Sequence, residues 1–206
     1  MKKLFIKIAL TVITIIGSNA NAAFITNSDI ASVSVDAAPS NYTIANIDAL
    51  FDGIFGTSSP DVAFTANAQG GTRVSSALPI SLTFALNGKF DIFGAGIAND
   101  FGSLFLQQVS ALEIIFNTDT GQIAVSNSML VQNTFSVIDL GSIAAFGVDS
   151  FTVNIFGSQG NKVELREIVL EATKQVTSSS SISEPIYTSA LFLALLAAAR
   201  TRRSKR

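Results

Sequence analysis

Apolar and polar residues alternate along much of the middle of the chain. Ile30-Ala31-Ser32-Val33-Ser34-Val35, Ile80-Ser81-Leu82-Thr83-Phe84 and Phe151-Thr152-Val153-Asn154-Ile155 follow a period of two. That period gives each segment one buried and one wet face, the mark of antiparallel sheet. Similar patterns predict strands over 90–96, 111–117, 122–127, 134–139 and 162–170. Asn87-Gly88, Asp119-Thr120-Gly121 and Gln159-Gly160-Asn161 supply turn chemistry between them. Only 41–55 and 97–107 leave room for a helical turn. Many short strands closed by Gly and Asn turns predict an all-β fold, an antiparallel two-sheet β-sandwich over residues 30–172. Phe84, Ile115, Val153 and Ile155 are expected to face its core.

The two ends break this pattern. Met1-Lys2-Lys3 precedes an apolar run over 4–16, and Ala20-Asn21-Ala22 is a small-residue cleavage site of the A-x-A type. Residues 1–22 therefore read as a signal peptide, with signal peptidase releasing a mature chain at Ala23. The sandwich domain occupies 23–175, and 176–183 is a Ser/Thr-rich linker. Ser183-Glu184-Pro185 then leads into an apolar run over 186–199 and a basic end, Arg200-Thr201-Arg202-Arg203-Ser204-Lys205-Arg206. A run of this length is short of the ~20 residues that span a bilayer comfortably. With cations directly after it, the run reads as a membrane-inserted helix whose basic end stays cytoplasmic.

Signal peptide, Glu-Pro motif, short hydrophobic helix and Arg-rich end together resemble the PEP-CTERM sorting arrangement. The resemblance covers 183–206, and departs from the family pattern where Ser183 stands for the first Pro. It implies that a sorting peptidase of the exosortase type processes the tail at the inner membrane. The protein would then be secreted or held at the cell surface. The competing reading is a tail that nothing removes, leaving a membrane-anchored periplasmic domain.

Composition narrows the chemistry. The chain has no Cys and no His, so disulfides, thiolate sites and the common nucleophile–base pairs are absent. No catalytic residues are marked out, and a non-enzymatic role is expected. Between Ala23 and Ile182 fourteen acids face five bases, a net charge of −9. Such a domain repels phosphate backbones and is a poor partner for nucleic acid, but a reasonable host for Ca²⁺.

A second resemblance runs over most of 30–172. Leu50-Phe51-Asp52-Gly53, the strand at 79–86, the strand and Asp-Gly turn at 109–121, and the closing pair ending in Val163-Glu164-Leu165-Arg166-Glu167-Ile168 occur in order. This resembles the discoidin (F5/8 type C)-like, galactose-binding-like domains. The resemblance implies a jelly-roll sandwich and a structural Ca²⁺ between the Asp-Gly loop and the last strand. Asp52 and Glu167 match those positions, with Thr57 as a further ligand and Asp48 as an alternative carboxylate. Six to eight hard oxygens suit Ca²⁺, which makes this donor set coherent. Read simply, Asp52-Gly53 is a turn and Glu167 a solvated strand residue.

Sugar-binding members of the family stack a pyranose on an exposed aromatic. Trp is absent, and most phenylalanines fall at strand positions that default to the core. Phe64, Phe101 and Phe105, flanked by loop-like polar residues, are the exceptions, and Arg73 beside Gly70-Gly71 is a cation suited to bidentate contacts. The sequence thus predicts a structural or carbohydrate-associated component of an extracellular matrix or biofilm, in contact with extracellular polysaccharide. The alternative is a carbohydrate-binding module with a defined sugar ligand.

Overall fold

The computed structural model describes residues 22–54, 63–68, 73–99, 107–128 and 137–176. The signal segment before Ala22, the linker beyond Val176 and the sorting tail lie outside them. No helix among the described residues is long and apolar enough to cross a membrane, and the run at 186–199 is not among those residues.

Nine strands follow one another: β1 (Ala23–Phe24), β2 (Ile30–Ala37), β3 (Tyr42–Ala45), β4 (Phe64–Ala68), β5 (Ile80–Asn99), β6 (Val109–Thr118), β7 (Gly121–Asn127), β8 (Val137–Ser158) and β9 (Lys162–Lys174). Short 3-10 turns occupy Asn27–Asp29 and Ile47–Phe51, the latter inside the stretch expected to hold a helical turn. All pairing between these strands is antiparallel, in the order β3-β4-β9-β5-β8-β6-β7, with β1 on β9 and β2 on β5.

The expected two layers are present, but β5 and β8 run through both. Residues 80–86 of β5 pair with β2 and with 150–155 of β8, which in turn pairs with β6. Beyond a register shift after Ala85, residues 90–99 of β5 pair with β9 and with 137–148 of β8. One layer is therefore β2-β5-β8-β6-β7, and the other is β3-β4-β9-β5-β8 with β1 alongside β9. Hydrogen bonding continues from one to the other through the two long strands. Asn87-Gly88 is not the turn that its residues suggest. It is the bend at which β5 changes layers, and the side chain of Asn87 ties it down. Asn87 donates to the Ser28 carbonyl and accepts from Lys174 Nζ at 2.5 Å.

Alternation along the strands builds one core between the layers. Leu82, Phe84, Phe151, Val153 and Ile155 are buried from the first layer, and Ile92, Ile97, Leu165, Ile168 and Leu170 from the second. Phe51, at the end of the second 3-10 turn, closes one side. Its ring lies 5.1 Å from Phe84 and 5.6 Å from Phe151, both edge-on, while Phe84 and Phe151 stack at 5.1 Å. Phe84, Val153 and Ile155 thus point inward as expected. Ile115 does not. It pairs with Thr152 on the outer face, while Ile114 and Phe116, opposite Val153 and Phe151, are fully buried. In the apolar run Ile114-Ile115-Phe116 the partner strand decides which alternate set turns inward.

Candidate functional site

The chain leaves the 3-10 turn Ile47–Phe51 with Leu50 and Phe51 fully buried, so the Asp52-Gly53 turn is anchored against the core. Asp52 Oδ1 accepts the Ile54 N–H at 2.8 Å, and Gly53 adopts φ +79°, a conformation that favours glycine. On the far side of the sequence, Glu167 sits in β9 opposite Ala98 and is only 3% exposed. Its Oε1 accepts the Gly53 N–H at 3.3 Å across 114 positions. Its Oε2 is buried and has no hydrogen-bond partner among the described residues. The Glu167 carboxyl is pushed up to about 8, chiefly by burial and also by the Asp52 carboxylate, against the opposing loop N–H groups of Gly53 and Asp52.

Two acidic side chains 115 positions apart in sequence therefore share one corner. This arrangement is costly without a counter-charge, because a buried carboxylate beside another carboxylate keeps its proton. A hard cation removes that cost. The orphaned Oε2 and the oxygen-only donor set fit Ca²⁺, for which Asp52 and Glu167 would supply the carboxylates. Among the described residues no group of three or more acidic side chains forms, so Asp48 adds no third carboxylate to the pair. Asp48 is exposed on the 3-10 turn, where its carbonyl accepts from Asn27 Nδ2 at 2.9 Å beside a cavity of about 390 Å³. Thr57 lies outside the described residues.

The expected ligand-facing residues fare unevenly. Arg73 is exposed at the start of the segment that leads into β5. Phe101 and Phe105 lie outside the described residues. Phe64 is fully buried in β4 opposite Leu165, so it is a core residue and not a loop aromatic. Its polar flanks, Thr65 and Asn67, are the other half of a strand alternation.

The exposed aromatics are ones the sequence pattern consigns to the core. Phe93 and Phe146 are 38% and 56% exposed, and their rings meet edge-to-face at 6.3 Å. Each opens a Phe-Gly dipeptide that forms a β-bulge. Phe93-Gly94 together oppose the single residue Glu171 of β9, and Phe146-Gly147 together oppose the single residue Asp91 of β5. A bulge sets two residues against one and re-aims a side chain, which turns these rings to the outside. Phe24, 59% exposed, pairs with Glu171 from the other side. The signal was present in the sequence, since Phe-Gly inside an alternating run breaks the period with a residue that has no side chain to pack.

Neither a known family profile nor a curated protein matches this chain. Its fold does have relatives among solved structures. The C-terminal domain of a chitobiase from Bacteroides fragilis matches with a TM-score of 0.52 at 15% identity, covering 74% of this chain and 99% of that one. A CBM32 domain of a GH31 protein, bound to GalNAc, matches with a TM-score of 0.51 at 13% identity over 70% and 98% of the two chains. The family 32 carbohydrate-binding module of NanJ from C. perfringens, in complex with galactose, gives a TM-score of 0.50 at 14% identity over 72% and 98%. The fold is accordingly that of the galactose-binding-like, discoidin-like sandwiches to which these carbohydrate-binding modules belong. At such identities the likeness concerns the fold, and the sugars are those of the named proteins.

Proposed function

We propose that this chain is a non-catalytic carbohydrate-binding module of an exported protein, with Ca²⁺ closing its Asp52-Gly53 loop onto β9. The observation that carries the reading is the junction itself. A loop and a strand 114 positions apart meet at a buried carboxylate oxygen that has no partner among the described residues, within a galactose-binding-like sandwich. Asp52 and Glu167 supply the carboxylates for the cation. Closing the loop orders the neighbouring surface, and ordering a surface before the ligand arrives lowers the cost of binding. Arg73 offers hydroxyl groups a planar fork of donors. The ligand is extracellular polysaccharide, and the acidic domain favours uncharged over anionic sugars.

Titration calorimetry with galactose and N-acetylgalactosamine, with and without Ca²⁺, tests the reading. Saturable binding that weakens in chelator supports it, and no heat with either sugar or with galactan overturns it. Thermal melts test the metal separately. A cation bound only by the folded state adds about 2.7 kcal/mol at a hundredfold excess over Kd, and Asp52→Ala or Glu167→Ala should abolish that gain.

Export and sorting belong to the same proposal. Signal peptidase cuts after Ala22, and an exosortase-type peptidase removes the tail at Ser183-Glu184-Pro185. Extracellular protein should then start at Ala23 and lack its basic end. Intact-mass spectrometry that finds Arg206 in all extracellular material would leave only the membrane-anchored form.

A further inference from the structure

The outer face of the second layer carries a feature that the Asp52–Glu167 junction does not explain. Across β1, β9 and β5 it places Phe24, Glu171 and Phe93-Gly94 side by side, and on β8 Phe146, whose bulge lies opposite Asp91, brings its ring diagonally to within 6.3 Å of Phe93. At the usual strand spacing this row is about 14 Å long. Core logic does not account for three exposed phenylalanines on one face, and the backbone beneath them is secured. Gly147 takes φ +67°, and its N–H donates to Asp91 Oδ1 at 2.9 Å. The same oxygen accepts from Gln175 Nε2 at 2.7 Å. Asp91 thus fixes the bulge that presents Phe146. At the neighbouring bulge Glu171 lies over Gly94, with Oε2 3.3 Å from where a Cβ would stand. A side chain at that position would crowd the carboxylate.

We propose that this face is a glycan-binding surface, in which Phe93 and Phe146 take the C–H face of an uncharged pyranose and Glu171 accepts its hydroxyls. The proposal rests on the carbohydrate reading above but concerns different residues and no metal. Size argues for such an occupant. A phenylalanine offers about 150–250 Å², so three rings at these exposures present roughly 300 Å². A stable protein contact needs about 800 Å² from each partner and disfavours acidic residues at its centre. Chemistry agrees. Aromatic faces receive apolar C–H groups, and a carboxylate without a cation beside it is an acceptor for hydroxyl donors. The two rings meet edge-to-face at 72° and both keep a large part of their surface open to solvent. A row longer than one pyranose suits an oligosaccharide.

Titration of the full chain with galactose, N-acetylgalactosamine and galactan decides the matter, using Phe93→Ala/Phe146→Ala, Glu171→Gln and Arg73→Ala. Loss of the two rings should weaken galactan binding about tenfold or more, and Glu171→Gln should weaken it without changing the melting temperature. Glu171→Gln keeps the test sound if the double variant misfolds. Wild-type binding that is unaltered in the ring variant and in Glu171→Gln overturns this site while leaving the carbohydrate reading intact. No glycan binding by the wild type overturns both. Sedimentation showing a dimer that Phe146→Ala dissociates also overturns it, since the face would then cover a second copy of the chain.

Discussion

Glu167 concentrates the chemistry of this domain in one side chain. Its carboxyl sits at about 8 instead of 4.5, because the buried site disfavours its charge and Asp52 adds a second negative group. The folded chain therefore keeps a proton that the unfolded chain has released. Stability must fall as pH rises from about 4.5 through about 8 and level off above that. Thermal melts in chelator across this window should show the decline, and Glu167→Gln should flatten it while still accepting the Gly53 N–H. Ca²⁺ bound as proposed would reverse the sign, since binding requires the ionised form and expels the proton. Added Ca²⁺ should thus stabilise the wild type most at the alkaline end and leave Glu167→Gln unmoved. The approach of the Asp52-Gly53 loop to Glu167 was suggested by the resemblance to discoidin-like domains, since the local pattern marks only a turn and a strand residue. Ile115 was not legible, because neighbours on both sides are apolar and only its partner, Thr152, breaks the tie.

The element scale shows where alternation misleads. Asn87-Gly88 reads as a hairpin turn, yet β5 continues through it, because the strand exchanges its partner there and not its direction. β3 and β4 escape notice for another reason: Tyr42-Thr43-Ile44-Ala45 and Phe64-Thr65-Ala66-Asn67-Ala68 are short and rich in Ala, which has little strand preference. The Phe-Gly dipeptides were readable in hindsight. All three within the described strands, at 93–94, 146–147 and 156–157, are bulges opposed by one residue, the last of these by Ala111. Gly147 gives this a measurable form. A methyl there meets Asp119 Oδ2 at 2.5 Å, on a backbone that L-residues seldom adopt. Gly147→Ala should destabilise the domain by about 1–2 kcal/mol in urea denaturation. Asp119→Ala should relieve the clash but not the backbone cost, so the double variant should recover only in part.

At the scale of the whole molecule, the long strands leave no seam along which the layers could part. Phe51, Phe84, Phe116 and Phe151 join the 3-10 turn to three strands, with Phe116 and Phe151 6.2 Å apart. Phe151→Ala removes the ring common to three of these contacts and should cost about 3–5 kcal/mol. Unfolding should remain a single transition followed by circular dichroism and by amide exchange alike. Separate melting of the two layers would contradict the shared-strand architecture. The all-β class and the antiparallel pairing were predictable from period and turns. The continuous path of β5 and β8 was not, because a strand that changes layers keeps its alternation on both sides of the bend.

The short strand β1 has a mechanical meaning. Ala23 is paired with Ala172, so the first residues of the domain lie against the strand with which it closes. A body whose entrance and exit share one corner hangs from its chain like a pendant. Tension pulled through those two points unzips two residues of β1 from β9 before it reaches any aromatic ring. A host loop could accept the domain, or a few residues could join its ends and new ones be opened elsewhere, with the barrier to unfolding untouched. Under load such a body would turn about one pivot and yield first at that corner, leaving the sandwich whole.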